Sequence, residues 1–308
     1  MAVPAPVHYP PPLNDARAPT ATDRVSLAVE TIGHLVPRTA FIGRVHSTFA
    51  HACNIECDST LITVVTAAAG NGPTSLRLRA GSVPDLRRCF DDGETIRGRG
   101  GVAGGARATL QLTPATVWHP VPAGVPAPGE AVAARLRRAA SIVAGWQGRL
   151  RSVIDREAAA VASALTEACA ALDTARAAQA VARLIGWGEG LTPSGDDFVI
   201  GVCAGFDGLL DDDARRTALR RALSATIGAS LSRTTRISAH HLQLAAHGHY
   251  SEPLLDVRDA LLSVDPSHAL EDALRRACAL GATSGADMVA GLLAALRAWS
   301  PAPMAAIV

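Results

Sequence analysis

The stretch Gly186-Trp-Gly-Glu-Gly-Leu-Thr-Pro-Ser-Gly-Asp-Asp197, followed at once by the apolar run Phe198-Val-Ile-Gly-Val-Cys-Ala-Gly-Phe206, decides the fold of the second half of the chain. Its pattern predicts a glycine-rich loop that ends in the first turn of a buried helix. Thr192 or Ser194 can cap that helix, and the two aspartates lie where the helix dipole favours negative charge.

The same design occurs a second time in the chain. Gly281-Ala-Thr-Ser-Gly-Ala-Asp-Met-Val-Ala-Gly-Leu292 aligns with Gly190–Val202 once Pro193 is skipped. The matched pairs are Thr192 with Thr283, Ser194 with Ser284, Gly195 with Gly285, Asp197 with Asp287, and Gly201 with Gly291. Two polar helix starts with the same glycine spacing indicate two halves of one site, so we expect them to meet in space.

Composition limits the chemistry that the chain can perform. Among 308 residues the net charge is only +1, which gives no support for a nucleic-acid partner or an anionic membrane. All 29 cationic side chains are arginine. The lack of lysine excludes a Schiff-base lysine, a Walker-type phosphate lysine and a carboxylated lysine ligand. An anion must therefore be held by arginine, by backbone N–H groups or by a metal.

Segments that would direct the chain to a membrane or out of the cell are not evident. The apolar stretches are interrupted by Gly, Arg or Asp well before the roughly 20 residues that a membrane span requires. The first residues lack the charged start and apolar core of a secretory signal. We therefore expect a soluble cytoplasmic protein.

The sequence predicts an α+β protein in four parts. Residues 1–22 are rich in Pro and Ala and are expected to form a disordered tail. Residues 23–119 are predicted to form a small antiparallel β domain, either a sheet or a barrel. Residues 120–128 form a proline-rich hinge, and residues 129–308 a mostly helical bundle domain that carries both glycine-rich loops.

Individual elements follow from the same patterns. Four strands are predicted, at Phe41–Phe49, Thr60–Thr66, Ser75–Arg79 and Ala108–Leu112, whereas Gly98–Gly105 reads as a mobile loop. Nine helices are predicted, at Ala131–Arg156, Glu157–Leu172, Arg176–Ile185, Gly195–Leu210, Ala214–Ala229, Arg236–His247, Pro253–Leu262, Ala269–Leu280 and Gly285–Trp299.

The loop that ends at Asp197 has two possible roles. Free N–H groups at the start of its helix can bind an anion, but Asp196 and Asp197 would repel a phosphate. Mg²⁺ or K⁺ held by Asp197 and Asp287 would resolve that conflict, since carboxylate oxygens suit a hard cation. The alternative is that these residues only cap their helices.

A second polar cluster lies at Ser232-Arg-Thr-Thr-Arg-Ile-Ser-Ala-His-His241. Arg233 and Arg236 are about one helical turn apart, and together they could clamp a carboxylate or a phosphate. Thr235 and Ser238 could add hydroxyl donors. The alternative is a capped helix start with solvated arginines.

Four motifs together resemble a known family. Gly188-Glu-Gly-Leu-Thr-Pro-Ser-Gly-Asp-Asp197, Thr234-Thr-Arg-Ile-Ser238, Ser251-Glu-Pro253 and Ser284-Gly-Ala-Asp287 occur in the order and spacing of the DUF2877 family, which includes the AllH subunit of bacterial oxamate carbamoyltransferase. The resemblance extends over most of the chain, from about residue 41 to residue 299. Relatives often have Gly-Pro-Gly where this chain has Gly-Glu-Gly, which adds a carboxylate to the loop.

The resemblance implies one subunit of a multi-protein carbamoyltransferase. Its partners would be an FdrA-like subunit and a DUF1116-type subunit, and its small-molecule ligands a carbamoyl donor and acceptor. The implied reaction interconverts oxalurate and phosphate with oxamate and carbamoyl phosphate, in the use of allantoin. A non-catalytic scaffold and a metal-dependent amide or ureide hydrolase are the alternatives.

Our hypothesis places the site where the two helix starts meet. The helix starts would supply donors for a developing oxyanion, and the arginines would supply positive charge. The candidate catalytic residues are Asp196, Asp197 and Asp287. The candidate substrate- or anion-binding residues are Gly190, Thr192, Ser194, Gly195, Arg233, Arg236, Ser238, Ser284 and Gly285.

Overall fold

An eight-stranded β-barrel forms the first part of the computed structural model, which describes residues 24–58, 60–81, 85–121, 124–146, 156–209 and 213–299. A ninth strand extends the barrel beside the first. The strands are β1 (Val25–Gly33), β2 (Phe41–Thr48), β3 (Ala52–Cys57), β4 (Thr60–Val65), β5 (Ser75–Leu78), β6 (Thr95–Arg99), β7 (Val102–Gly104), β8 (Ala108–Gln111) and β9 (Thr116–Trp118).

The barrel is mixed rather than wholly antiparallel. Its strand order is β5-β4-β3-β2-β6-β7-β8-β1, and pairing of β1 with β5 closes it. β1 runs parallel to β8 and β9, and β4 runs parallel to β5. The chain crosses over between β4 and β5, so that β5 runs in the same direction as β4. The predicted β domain is thus confirmed as a barrel, with parallel pairs that the prediction lacked.

Alternating side chains build the barrel interior. Leu27 and Val29 of β1, Ile55 of β3 and Leu110 of β8 are at most 2% exposed. The segment Gly98–Gly105, predicted as a mobile loop, is instead the β6–β7 hairpin. That prediction was wrong because the glycines at positions 100 and 101 have positive φ values of 63° and 81°, which form a tight turn between two paired strands.

Nine helices follow the barrel in the described part of the chain, and they confirm the predicted helical region. They are α1 (Gly129–Gly145), α2 (Arg156–Ala170), α3 (Thr174–Leu184), α4 (Ser194–Asp207), α5 (Ala214–Ser230), α6 (Arg236–Ala246), α7 (Glu252–Leu262), α8 (Leu270–Cys278) and α9 (Ser284–Trp299). Most predicted ends are within three residues of these bounds. The predicted tail at residues 1–22 lies outside the described residues. The first helix was predicted to run to Arg156, but α1 ends at Gly145 with Trp146 as its C-terminal cap residue, and Arg156 begins α2. Residues 147–155 lie outside the described residues. None of the described helices is long and apolar enough to cross a membrane.

Helices α4 and α9 pack against each other at the centre of the helical region. Glycine allows their backbones to approach closely. A Cβ atom on Gly201 would stand 1.9 Å from the carbonyl oxygen of Met288, and one on Gly291 would stand 2.0 Å from that of Phe198. The two repeated glycines therefore face the partner helix reciprocally, and the expected meeting of the two repeats is observed.

The segment predicted as a hinge is attached to the helical region. The N–H of Ala127 donates to the carbonyl of Leu262 at 2.6 Å, and the N–H of Val264 donates to the carbonyl of Val125 at 2.8 Å. These bonds hold the part of this segment around Val125 and Ala127 against the C-terminus of α7.

Candidate functional site

Asp196 lies in the first turn of α4 and is fully buried. Its carboxylate accepts hydrogen bonds from the backbone N–H of Gly186 at 2.7 Å, from the hydroxyl of Ser238 at 2.6 Å and from the hydroxyl of Thr234. Burial raises its pKa, whereas these hydrogen bonds lower it. Asp196 thus connects α4 to the loop before it and to the start of α6.

Asp197, the next residue, faces the second repeat. Its side chain accepts hydrogen bonds from Ser284 and Thr192, whose hydroxyl oxygens are 2.7 Å apart. The two glycine-rich helix starts are thereby joined directly. Burial is the main cause that raises the pKa of Asp197 to about 8, and the nearby carboxylates of Asp287 and Asp196 raise it further.

Asp287 occupies the matching position in the first turn of α9 and is fully buried. Its N–H donates to the carbonyl of Thr283 at 3.0 Å, as the N–H of Asp197 does to the carbonyl of Pro193 at 3.2 Å. In the part of the chain that the structure describes, no group of three or more His, Cys, Asp or Glu side chains could hold a metal ion. Among these described residues, no third His, Cys, Asp or Glu side chain joins Asp197 and Asp287 as a ligand for Mg²⁺ or K⁺.

The glycines at the two helix starts serve packing. A Cβ atom on Gly195 would stand 2.1 Å from a backbone carbonyl oxygen of α3, and one on Gly285 would stand 1.9 Å from a backbone carbonyl oxygen of α8. Their own N–H groups donate to carbonyls of the preceding loops at 2.9 and 3.0 Å. These two N–H groups are therefore occupied. Ser194 is buried at the start of α4, and Gly190 has a positive φ of 90° in open space.

The two arginines of the second polar cluster have partners of their own. Arg236 forms an ion pair with Glu56 of the barrel at 2.7 Å and donates to the carbonyl of Asp58 at 3.3 Å. Arg233 donates to the carbonyl of Ala182. The structure thus engages both guanidinium groups elsewhere and does not assemble the predicted anion clamp.

A cavity of about 230 Å³ lies between the barrel and the helices, beside Asp197. The barrel loop from Asn71 to Ser75 forms one wall. Polar side chains on the helix side include Thr192, Asp197, His241, His249, Ser251 and Ser284. The structure thus brings Thr192, Asp197 and Ser284 together at one cavity, while Asp196, Ser238, Asp287 and both arginines lie outside its wall.

Two buried polar atoms at this cavity have no hydrogen-bond partner among the residues that the structure describes. They are Oδ2 of Asp197, whose residue is 3% exposed, and Oγ of Ser251. Ser251 is the N-terminal cap residue of α7, but its hydroxyl makes no capping bond. Buried polar atoms are nearly always paired, so these two point to a bound molecule or water.

The cavity carries little positive charge. Burial lowers the pKa of His241 and of His249, which keeps both imidazoles neutral at neutral pH. Among the described residues that line the cavity, Asp197 is the one acidic side chain and no arginine is present. The site therefore suits an uncharged polar group better than a multiply charged anion.

Sequence reasoning missed the barrel's part in this site. The carboxylate of Glu252 accepts hydrogen bonds from the backbone N–H and the side-chain amide of Asn71, both at 2.9 Å. Thr74 contacts a ring nitrogen of His240 at 3.1 Å. The Asn71-Gly-Pro73 sequence is typical of a turn, and nothing in the sequence indicates which helix that turn contacts.

Family models match both parts of the chain. The model described as oxamate carbamoyltransferase subunit AllH matches residues 184–296, and the model of the AllH family N-terminal domain matches residues 23–117. The chain belongs to the AllH family. Searches of curated proteins and of solved structures returned no match.

The cavity of this AllH-family chain lies where the two matched segments meet. The N-terminal match contains Asn71 and Thr74, and the C-terminal match contains Asp197, Ser251 and Ser284. Family membership indicates a role as a subunit of oxamate carbamoyltransferase. The motifs that first suggested the family have different structural roles. Asp196, Thr234 and Ser238 connect helices, whereas Asp197, Ser251 and Ser284 line the cavity.

Proposed function

We propose that this chain is a subunit of a carbamoyltransferase complex that interconverts oxalurate and phosphate with oxamate and carbamoyl phosphate, and that its ligand site is the cavity beside Asp197. The observation that carries the site is the pair of unpartnered buried atoms, Asp197 Oδ2 and Ser251 Oγ, at one small cavity. The two family models support the reaction class.

The chemistry requires one proton to move. The bond between the ureido carbon and the oxamate nitrogen breaks, a bond between that carbon and a phosphate oxygen forms, and the phosphate proton passes to the nitrogen. A carboxyl group with a pKa of about 8, as at Asp197, can hold and release a proton near neutral pH. Asp196 acts as a positioning residue, because its three hydrogen bonds fix the start of α4, and Asp287 stays a candidate catalytic residue whose charge acts on Asp197.

The proposed complex includes an FdrA-like subunit and a DUF1116-type subunit, and it acts in ureide and allantoin catabolism in the cytoplasm. The cavity of this chain offers no arginine to a phosphate among its described lining residues. A partner subunit would therefore supply the positive charge that carbamoyl phosphate requires. The candidate cations Mg²⁺ and K⁺ stay a prediction.

Reconstitution of the complex tests this proposal. Carbamoyl phosphate formed from oxalurate and phosphate is followed by ³¹P NMR with wild-type chain, with Asp197→Leu and with the exposed-site control Glu271→Gln. We expect turnover to fall at least about 100-fold for Asp197→Leu, the low end of what a positioned acid–base group contributes, and to stay unchanged for the control.

Two outcomes would contradict the proposal. Normal turnover by a complex that contains Asp197→Leu would make the chain a scaffold subunit. Hydrolysis of oxalurate by the chain alone, without phosphate and abolished by a chelator, would instead indicate a metal-dependent amide hydrolase.

A further inference from the structure

We propose that the cavity beside Asp197 receives the uncharged carbamoyl end of the ligand and does not admit phosphate, so that the phosphate group binds outside this cavity. The inference rests on the proposed function, and it assigns a ligand class to that same site.

The unpartnered atoms match the hydrogen-bonding groups of a primary amide. An amide presents N–H donors and a carbonyl acceptor on two atoms bonded to the same carbon. Asp197 Oδ2 can accept an N–H bond, or donate to the carbonyl when it carries a proton, and the hydroxyl of Ser251 can do either. An amide in this cavity therefore carries the donors and the acceptor that these two buried atoms lack.

Charge argues against phosphate at the same place. A phosphate in the cavity would face the Asp197 carboxyl and the neutral rings of His241 and His249. A buried anion requires a paired cation or several N–H donors. The guanidinium groups of Arg233 and Arg236, which lie outside the cavity wall, are bound to Ala182 and Glu56.

Size limits the occupant to a small group, and charge decides between a carbamoyl group and phosphate. The cavity volume of about 230 Å³ is below the usual range for pockets that hold drug-sized ligands. A carbamoyl or ureido group has few heavy atoms and fits such a space, while the remainder of the ligand can extend toward a partner subunit.

Saturation-transfer NMR on the purified full-length chain tests the assignment. The probe is acetylurea, a neutral analogue of oxalurate in which a methyl group replaces the carboxylate, and the competitor is inorganic phosphate. We expect acetylurea to bind the wild type and tenfold excess phosphate to leave its signal unchanged. Absence of acetylurea binding, or its displacement by phosphate, would overturn the inference.

Two substitutions at one position provide the matched control. Asp197→Asn keeps the shape and an amide's donor and acceptor, so acetylurea affinity should stay within about threefold and be independent of pH. Asp197→Leu removes both groups and should weaken binding at least tenfold. Wild-type affinity in Asp197→Leu would contradict the assignment.

Ser251→Ala is the second variant, in case Asp197→Leu does not fold. The hydroxyl that this change removes makes no capping bond at the start of α7. The variant should therefore fold normally and bind acetylurea about fivefold more weakly. Unchanged binding would contradict the assignment. These results are separate from turnover. If turnover falls in the complex with Asp197→Leu while phosphate displaces acetylurea from the wild-type chain, the proposed function stands and this inference is overturned.

Discussion

Asp196 and Asp197 are adjacent in sequence but differ in the surroundings of their carboxyl groups. Consecutive residues of a helix point about 100° apart, so the first carboxyl meets α6 and the second meets α9. Asp196 accepts three hydrogen bonds inside the protein. Asp197 lies at the cavity with one oxygen unpaired. The sequence predicted the pair as catalytic. In the structure the Asp196 carboxyl is held by hydrogen bonds inside the protein, and our proposal assigns ligand binding to Asp197.

Replacement of Asp196 should cost stability. In Asp196→Ala the donors on Gly186, Thr234 and Ser238 lose their acceptor, which should lower the free energy of unfolding by about 3 kcal/mol. Urea denaturation measures the change. Asp196→Asn, which keeps one acceptor oxygen, should cost less. Equal stability of Asp196→Ala and the wild type would contradict the hydrogen-bond network.

Replacement of Asp197 should change how stability depends on pH. Folding raises its pKa from 3.8 to about 8, so its contribution to stability is complete below the unfolded value and is lost as the pH rises to the folded one. Asp197→Asn removes this titration. The variant should gain stability relative to the wild type as the pH rises from roughly 5 to 8, by at most about 1.4 kcal/mol per pH unit. If the difference in free energy of unfolding between Asp197→Asn and the wild type is the same at every pH, a protonated Asp197 in the folded protein is contradicted.

At the scale of elements, helices were predicted more completely than strands. Long runs of Ala, Leu and Val with helical spacing identify each helix without reference to its neighbours. β3 mixes Asn54, Glu56 and two cysteines with its apolar residues, and β7 and β9 have three residues each, so their patterns are too short or too polar to read. Pairing across the barrel, which the local sequence does not contain, makes them strands.

The crossing of α4 and α9 makes a sharp prediction. Gly201→Ala places a Cβ atom 1.9 Å from a backbone oxygen of α9 and should destabilise the protein by about 3 kcal/mol. The control is Gly228→Ala on α5, where a Cβ atom would meet nothing within 4 Å. That change should stabilise by roughly 0.5–1 kcal/mol. Calorimetric unfolding of both variants checks the contrast, and equal effects would contradict the close crossing.

For the whole molecule, the docking of the barrel on the helices forms the cavity beside Asp197. The sequence located Asp197, Thr192 and Ser284 because their motif is local and repeated. It misplaced Arg236, whose partner Glu56 is 180 residues away, since such a pairing exists only after the two regions have docked. The cavity wall contributed by the barrel could not be predicted for the same reason.

The docking contact at Glu252 should affect both stability and binding. Glu252→Ala leaves two donors of Asn71 without an acceptor and should lower the free energy of unfolding by about 2 kcal/mol. It should also weaken acetylurea binding, because the Asn71 loop lines the cavity. Removing the exposed ion pair with Glu56→Gln should cost less than about 1 kcal/mol. Stronger destabilisation by Glu56→Gln than by Glu252→Ala would contradict this account of the interface.

A crystal structure of the chain with bound oxalurate tests the central claim most directly. We predict density for the ureido group in the cavity between the barrel and α4, with its amide nitrogen or oxygen within hydrogen-bond distance of Asp197 Oδ2 and Ser251 Oγ. Oxalurate bound at another surface, with the Asp197 cavity holding only water, would contradict the account.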